Sequence, residues 1–276
     1  MAAIASSLTP SSVDPRAHLD PAVRLPPDVV VRAGAYLPAN VRLEEGCRIG
    51  PNVAFVEGEP IVLRRGVHIG ANATVHAGVT IAARAVVRPG AVVGRSVPPG
   101  AIVEGNPASI VGYVDAARSQ GARLLQTRGA ETEATCVRGV TVHHFPVIPD
   151  LRGSLTVGEF GRQIPFEPRR YFIVYGVPSR EVRGEHAHRE CHQFLICLQG
   201  SCAVVADDGE HKTEVLLDEP QRGLYLPPRT WGIQYQYSAD AMLLVFASHH
   251  YDAADYIRSY DEFLDELGAT CAAAEV

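Results

Sequence analysis

From residue 25 onward the chain repeats every six residues. Leu25, Val31, Leu37, Leu43, Ile49 and Phe55 fall six apart, and small or apolar residues (Val29, Ala35, Val41, Cys47, Val53) follow most of them four places later. The beat is lost at Glu57 to Arg65. It returns, shifted by two, at Ile69, Val75, Ile81, Val87 and Val93, with Ala73, Val79, Ala85 and Ala91 in the companion slot. Such a period implies a parallel β-helix, in which each hexad is one short face of a coil and its apolar residue points to the axis. Eleven hexads fit the pattern, too many for coincidence.

The segment from Ile69-Gly70-Ala71-Asn72-Ala73-Thr74 to Val97-Pro98-Pro99-Gly100, and on through Gly105-Asn106-Pro107-Ala108 and Gly112-Tyr113, resembles the left-handed β-helix acyltransferases that acetylate sugars. The resemblance covers about residues 21–115. It implies trimers, with acetyl-CoA in the groove between neighbouring coils near Gly105, Asn106 and Pro107. His76 and His68 are then candidate bases toward a substrate amine, although a lone His on a repeat surface is equally readable as a solvated side chain. Relatives that acetylate amino-sugar nucleotides carry an N-D…P-R loop after the first coils. This chain has Phe55 to Arg65 there, which leaves acetyl transfer and a retained trimerisation scaffold both open.

Residues 1–20, rich in Ala, Ser and Pro, read as a loose arm. Residues 116–136 lose the beat and read as a linker, with a helical turn expected in Ala116 to Gln126. The remainder, 137–276, reads as a second domain, and 276 residues suffice for two cores. The net charge of -6 and a single lysine, Lys212, argue against nucleic acid or an anionic membrane as partner. No apolar run is long enough to span a bilayer. Six scattered cysteines without a C-x-x-C, and a start without a secretory leader, lead to the expectation of a reducing cytoplasm.

The second domain shows short strands separated by turn residues: Val140 to Phe145, Ser154 to Phe160, Arg170 to Tyr175, Phe194 to Leu198, Ala203 to Ala206, Thr213 to Leu217, Gly223 to Leu226 and Met242 to Ala247. Regular spacing of such strands means a sandwich or small barrel. A closing helix is expected over Ala253 to Leu267, with Ile257, Tyr260, Phe263, Leu264 and Leu267 as its packing stripe. Within this domain stands Arg183-Gly184-Glu185-His186-Ala187-His188. Alternation along a strand sends His186 and His188 into the same space, and two adjacent imidazoles invite either a metal site or acid/base work.

The H-x-H, Gly200-Ser201, Asp207-Asp208-Gly209 and Leu226-Pro227-Pro228-Arg229-Thr230-Trp231 resemble the two half-motifs of a cupin jelly-roll barrel. Metal-binding cupins add a Glu and a further His, where this chain has Gln193 and Gly232 or Ile233. With two of four ligands missing, no metal is expected. Asp150-x-Arg152-Gly153, Ile164-Pro165-Phe166, Gln193-Phe194-Leu195, and Ala247-Ser248-His249-His250-Tyr251 with Asp255-Tyr256-Ile257-Arg258 narrow the resemblance to the nucleotide-sugar 3,4-ketoisomerases of that superfamily, over about 139–267. Some members of that family are fused to a hexapeptide-repeat acetyltransferase in the same order.

The resemblance implies an all-β chain with a C-terminal helix that converts a dTDP-4-keto-6-deoxyhexose into its 3-keto isomer without a cofactor. His186 is the expected base and His188 its relay or orienting partner, because a neutral imidazole suits removal of the C3 proton and its return at C4. Arg152 and Arg183 are candidates for the diphosphate. Tyr171, Tyr175, Gln193 and Trp231 are candidates for the nucleotide and sugar, with core packing the competing reading for any single aromatic. A dTDP-sugar epimerase and a non-catalytic sugar-nucleotide-binding cupin are the alternatives. Trimeric β-helices and dimeric cupins together would give a homo-oligomer, up to a hexamer. The configuration at C4 of the product is left open.

Overall fold

The six-residue beat becomes a three-sided solenoid. In the computed structural model, which describes residues 10–119, 131–151, 153–178 and 181–274, the chain divides into two units, Met1–Val114 and Asp115–Val276. In the first unit, strands Val30–Val31, Arg48–Ile49, His68–Ile69 and Val86–Val87 stack in parallel along one side. Tyr36–Leu37, Ala54–Phe55, Thr74–Val75 and Val92–Val93 form a second side, and Val41–Leu43, Ile61–Leu63 and Thr80–Ile81 the third. The inward residues are the beat residues themselves, and Leu37, Ile69, Val75, Ile81 and Val87 are fully buried.

Val31 pairs with Ile49 three hexads on, but Ile49 pairs with Ile69, two residues further. The exposed turn Glu57–Pro60 absorbs those two residues, and Ile61 and Leu63 resume the interior. One corner requires special backbone at every level. Asn52 and Asn72 hold φ of 55° and 57°, and a Cβ on Gly34 would lie 2.1 Å from Asn52 Oδ1.

The arm expected over 1–20 is shorter than its composition suggests. Ser12–Val13 pairs with Val30–Val31 and His18–Leu19 with Tyr36–Leu37, so the first coil begins by residue 12. The signal was present: Val13 and Leu19 extend the beat backward from Leu25. Residues 1–9 lie outside the described residues. At the other end Ala101–Glu104 turns back on Ser109–Tyr113 as an antiparallel hairpin, with Gly105, Asn106 and Pro107 in its turn.

Besides a separate two-stranded sheet of Val147–Asp150 and Gly153–Thr156, the second unit is built on two six-stranded sheets facing each other. One runs Ala116–Ser119, Lys212–Leu217, Cys202–Asp207, Trp231–Tyr235, Arg183–His188, Tyr256–Ile257; the other runs Glu131–Ala134, Thr141–His144, Arg222–Leu226, Gln193–Gln199, Met242–Ala247, Arg170–Tyr175. The stretch read as a linker thus supplies two edge strands. Ala116–Ser119 pairs in parallel with Lys212–Val215, and Glu131–Ala134 pairs antiparallel with Thr141–His144. Propensity is weak in both segments, and pairing with an existing sheet edge overrides it. The rest of the expected helical turn, 120–126, lies outside the described residues.

Between the sheets Leu195, Val204, Leu217, Leu224, Leu243 and Val245 pack as the core. A second cluster of Phe145, Ile164, Phe194 and Ile196 covers the outer face of the second sheet. The closing helix starts later than its stripe suggested, at Tyr260. Ile257 is instead in a short strand paired with Ala187, and Ser259 precedes the helix with its hydroxyl accepting from the Glu262 N–H. Ser259-x-x-Glu262 is the S-x-x-E pattern that marks a helix start.

Candidate active site

A β-bulge aims the two histidines. In the strand Arg183–His188, Arg183 pairs with Gln234 and Gly184 with Ile233, but Gly232 is met by His186, so Glu185 is an extra residue. Gly184 and Glu185 take left-handed φ of 82° and 53°. A bulge re-aims side chains next to it, and here Arg183 and His186, three apart, both face the side occupied by Gln234 and Gly232. A cleft of about 260 Å³ opens there, lined by His186, His188, Cys191, Gln193, Leu226, Pro227, Thr230, Gly232 and Gln234.

The imidazole rings of His186 and His188 are 5.1 Å apart, edge to face, and the Tyr256 ring lies 5.0 and 4.3 Å from them. His188 is held at both nitrogens. Its Nδ1 lies 2.7 Å from the Asp255 carboxylate and its Nε2 3.0 Å from the Gln193 amide nitrogen. A carboxylate accepts only, so Nδ1 carries the proton, and Nε2 then accepts from the amide N–H. His186 donates its Nδ1–H to the Gly184 carbonyl at 2.9 Å. That bond leaves the lone pair on His186 Nε2, the one imidazole nitrogen of the pair without a described protein partner.

Burial lowers the pKa of both rings below the ordinary imidazole value, with the Arg258 charge adding to the effect at His186. For His188 burial outweighs the Asp255 contact and brings the value to about 4. Both rings are therefore neutral at pH 7, as a base requires. A depressed His pKa means that the unfolded chain binds more protons than the folded one between pH 6.5 and 4, so stability rises with pH across that window. We expect urea unfolding to show the wild type losing on the order of 2 kcal/mol between pH 7 and pH 5 through this group. His188→Asn should flatten that slope; an unchanged slope would assign it elsewhere.

Asp255 is itself set by the chain. Its other oxygen accepts from the Glu190 N–H at 2.7 Å, and Asp252 caps the single 3-10 turn Ala253–Asp255 that delivers it. Arg189 ties this segment down, donating to the Ala254 and Tyr256 carbonyls and to Glu262 and Glu266 of the closing helix. Ligand atoms of His188, Cys191 and Asp255 lie within 4.8 Å of one another. The closest of these contacts is the 2.7 Å hydrogen bond, too short for two atoms sharing an ion between them, and the Cys191 thiol donates to the His192 carbonyl at 3.4 Å.

Two arginines flank the ring cluster. Arg170 Nη2 donates to the Tyr256 hydroxyl at 3.3 Å, and the Arg258 guanidinium lies 4.4 Å from the centre of the Tyr256 ring. Arg170 Nε is buried without a hydrogen-bond partner among the described residues. Sequence reasoning gave neither arginine a role, nor Asp255 and Gln234. Asp255-Tyr256-Ile257-Arg258 was visible as a motif, and strand alternation would have placed Arg170 inward opposite Tyr171.

Of the residues expected in the pocket, His186, His188 and Gln193 come together, and Arg183 stands exposed on the same face. Trp231 does not belong to the cleft. It is 4% exposed on the opposite face of its strand, against Tyr260 and Phe263, because alternation gives the cleft to Gly232. Tyr171 and Tyr175, 68% and 70% exposed, pair with Phe246 and Met242 on the outer face of an edge strand and do not line the cleft either. Arg152 lies outside the described residues. In the first unit His68 and His76 are exposed on different sides of the solenoid, and Gly105, Asn106 and Pro107 are exposed in the terminal hairpin.

Both units have counterparts among known proteins. The family model described as "FdtA: WxcM-like, C-terminal" matches residues 138–268, and the "Bacterial transferase hexapeptide (six repeats)" model matches 60–95. The chain is 43% identical over 122 residues to a TDP-4-oxo-6-deoxy-α-D-glucose 3,4-oxoisomerase of Aneurinibacillus thermoaerophilus, across 44% of this chain and 88% of that protein. Among solved structures it is similar to a 3,4-ketoisomerase from Helicobacter canadensis (38% identity, 47% of this chain, 98% of that one, TM-score 0.46). A TDP-quinovose 3,4-ketoisomerase from Campylobacter jejuni is equally similar (38% identity, 47% and 99%, TM-score 0.45).

Proposed function

Because the chain belongs to the WxcM-like sugar 3,4-ketoisomerase family, we propose that it converts a dTDP-4-keto-6-deoxyhexose into the corresponding 3-keto sugar, with His186 as the base. The observation that carries the assignment is the open Nε2 of His186, presented to the cleft while every other imidazole nitrogen of the pair is occupied. The hydrogen on C3 is acidic because it neighbours the C4 ketone. His186 Nε2 removes it, the electron pair forms the C3=C4 bond of an enediol, and the proton returns at C4 as the C3 oxygen becomes the carbonyl. No electron leaves the substrate, so the balance calls for no cofactor.

His188 acts as the orienting partner rather than a relay, since Asp255 and Gln193 engage both of its nitrogens. Arg170 and Arg258 hold the diphosphate, with Arg183 beside them at the exposed end of the strand and Arg152 as a further candidate. A guanidinium pairs two donors with phosphate oxygens, and the unpartnered Arg170 Nε is such a donor. Arg258→Met should raise KM for the nucleotide sugar about tenfold while leaving kcat within a few-fold, as loss of one charge-assisted contact does. A lowered kcat at unchanged KM would remove Arg258 from the diphosphate site.

The test is proton NMR of the protein with dTDP-4-keto-6-deoxyglucose in deuterated water, with chelator present. New 3-keto signals with deuterium at C4 are expected. A ketone that stays at C4 while a ring carbon inverts would identify an epimerase, and ligand binding without exchange would identify a binding module. Activity requires His186 neutral, so kcat/KM should fall as pH drops through a value below the ordinary His pKa of about 6.5.

For the first unit we propose an acetyl-CoA-dependent sugar N-acetyltransferase, on the strength of the hexapeptide match and the exposed His68 and His76. Release of free CoA thiol on mixing acetyl-CoA with a 3-amino-sugar nucleotide tests it; no release would reduce the solenoid to a scaffold. The apolar edge strand Arg170–Tyr175, with Tyr171, Ile173 and Tyr175 uncovered, supports a homo-oligomer through the second unit. Among the described residues no helix is long and apolar enough to cross a membrane.

A further inference from the structure

The segment that brings Asp255 and Tyr256 to the cleft has little backbone pairing to hold it. Tyr256–Ile257 is the outermost strand of its sheet and pairs over two residues only, with Ala187 and His188. Strands that short are marginal without further packing. Yet Asp255 sits 2.7 Å from His188 Nδ1, and the Tyr256 ring 5.0 and 4.3 Å from the rings of His186 and His188. Something beyond the ladder must keep that spacing.

The restraint comes from Arg189, the residue after His188. Its guanidinium makes five hydrogen bonds, one for each of its N–H groups. Nη1 donates to the Ala254 carbonyl at 2.7 Å and to the Tyr256 carbonyl at 3.0 Å, one on each side of Asp255. Nη2 donates to Glu262 at 2.6 Å and to Glu266 at 2.5 Å, and Nε reaches the same Glu266 oxygen at 3.0 Å. Glu262 and Glu266 are four apart, so the closing helix offers both carboxylates from one face. The Arg189 backbone N–H adds a bond to the Asp255 carbonyl at 2.9 Å. A planar fork with five donors can join two carbonyls to two carboxylates; a lysine ammonium, with three, cannot.

The helix at the other end of this brace is anchored away from the cleft. Tyr260 donates its hydroxyl to Asp207 at 2.6 Å, the same oxygen accepts from Lys212 Nζ at 2.9 Å, and Asp207 is buried. Phe263 is fully buried, with its ring 5.6 Å from that of Trp231. Arg189 therefore joins a fixed helix to a thinly held strand.

We propose, on the ketoisomerase reading above, that Arg189 is a positioning residue of the reaction: it cross-braces the closing helix to the Ala254–Tyr256 segment and so keeps Asp255 and Tyr256 against the imidazole pair. It does not line the cleft and acts only through the segment it holds. Without the brace the segment drifts from the rings and water reaches them. The burial that depresses the His188 pKa to about 4 then weakens, and the value climbs toward the ordinary one. The charged groups that weigh most on His188 are Asp255, His186 and Arg170. None is on the helix, so neutralising the helix glutamates reaches the ring by moving the segment.

The experiment compares the full-length wild type with Arg189→Met and with Glu262→Gln/Glu266→Gln. Two quantities are measured: turnover of dTDP-4-keto-6-deoxyglucose, and the titration of the His188 imidazole by NMR of histidine-labelled protein. In both variants kcat is expected to fall about tenfold with KM within about twofold, and His188 to titrate at a higher pH than in the wild type. The glutamine pair covers the case in which Arg189→Met misfolds, because partly exposed ion pairs add little to global stability and its urea midpoint should hold. Wild-type kcat and titration in the glutamine pair overturn the proposal. So does a kcat that falls only with the folded fraction while His188 titrates as before. A wild type that turns over no substrate sinks the ketoisomerase reading instead, and the titration still decides whether the brace holds the rings.

Discussion

His186→Asn is expected to lower kcat by about 10³-fold, the span that a positioned general base contributes, while the unfolding midpoint moves little. Asparagine can keep a hydrogen bond to the Gly184 carbonyl, which His186 reaches at 2.9 Å, but it supplies no basic nitrogen to the cleft. Exchange of the C3 hydrogen with deuterated solvent should stop together with turnover, because both pass through the same proton transfer. Full activity in a folded His186→Asn protein would remove the mechanism. Activity lost together with the fold would leave the two causes mixed, so the unfolding curve is part of the measurement.

The second large effect is expected from one methyl group on the backbone. Gly184→Ala places a Cβ 2.6 Å from the Gly232 carbonyl oxygen and 3.1 Å from the Gln234 amide, on a residue whose φ is 82°. The left-handed backbone and the clash together should cost about 2–4 kcal/mol of stability. The Gln234 side chain can yield; the Gly232 backbone, inside a strand pair, cannot do so cheaply. Relief must therefore come from the bulge, and with it moves the carbonyl that fixes the His186 tautomer. A falling kcat that exceeds the loss in folded fraction at the assay temperature is the expected signature. Wild-type unfolding and turnover would show that the bulge is softer than its geometry suggests.

Much of this architecture is legible in the sequence because both units are periodic. Six-residue spacing identifies the solenoid interior residue by residue, and even the two-residue slip at Glu57–Pro60 is visible as a phase change. The imidazole pair is legible for the same reason, since alternation puts His186 and His188 on one face. What escapes is whatever depends on non-local pairing. Ala116–Ser119 has no strand signature of its own and is a strand only because Lys212–Val215 lies beside it. Trp231, a candidate for the nucleotide or sugar with core packing as the competing reading, is turned by its strand's register toward the closing helix. Asp255 is 67 residues from His188 in the chain, and only the fold brings the two within 2.7 Å. Arg170 differs in kind: its inward direction follows from alternation, yet its place beside the imidazole pair shows only once Tyr256 is in position.

The terminal hairpin of the solenoid has a consequence for self-association. A parallel β-helix ends each side in a strand whose N–H and C=O groups await another copy of itself, a ready template for end-to-end fibres. Here Ala101–Glu104 is met by Ser109–Tyr113 running the opposite way, with a register break between Ile102 and Val103. That reversal presents a stacking neighbour with an edge of the wrong polarity and an interrupted ladder. The Gly105-Asn106-Pro107 turn is therefore also the stopper of that side of the coil.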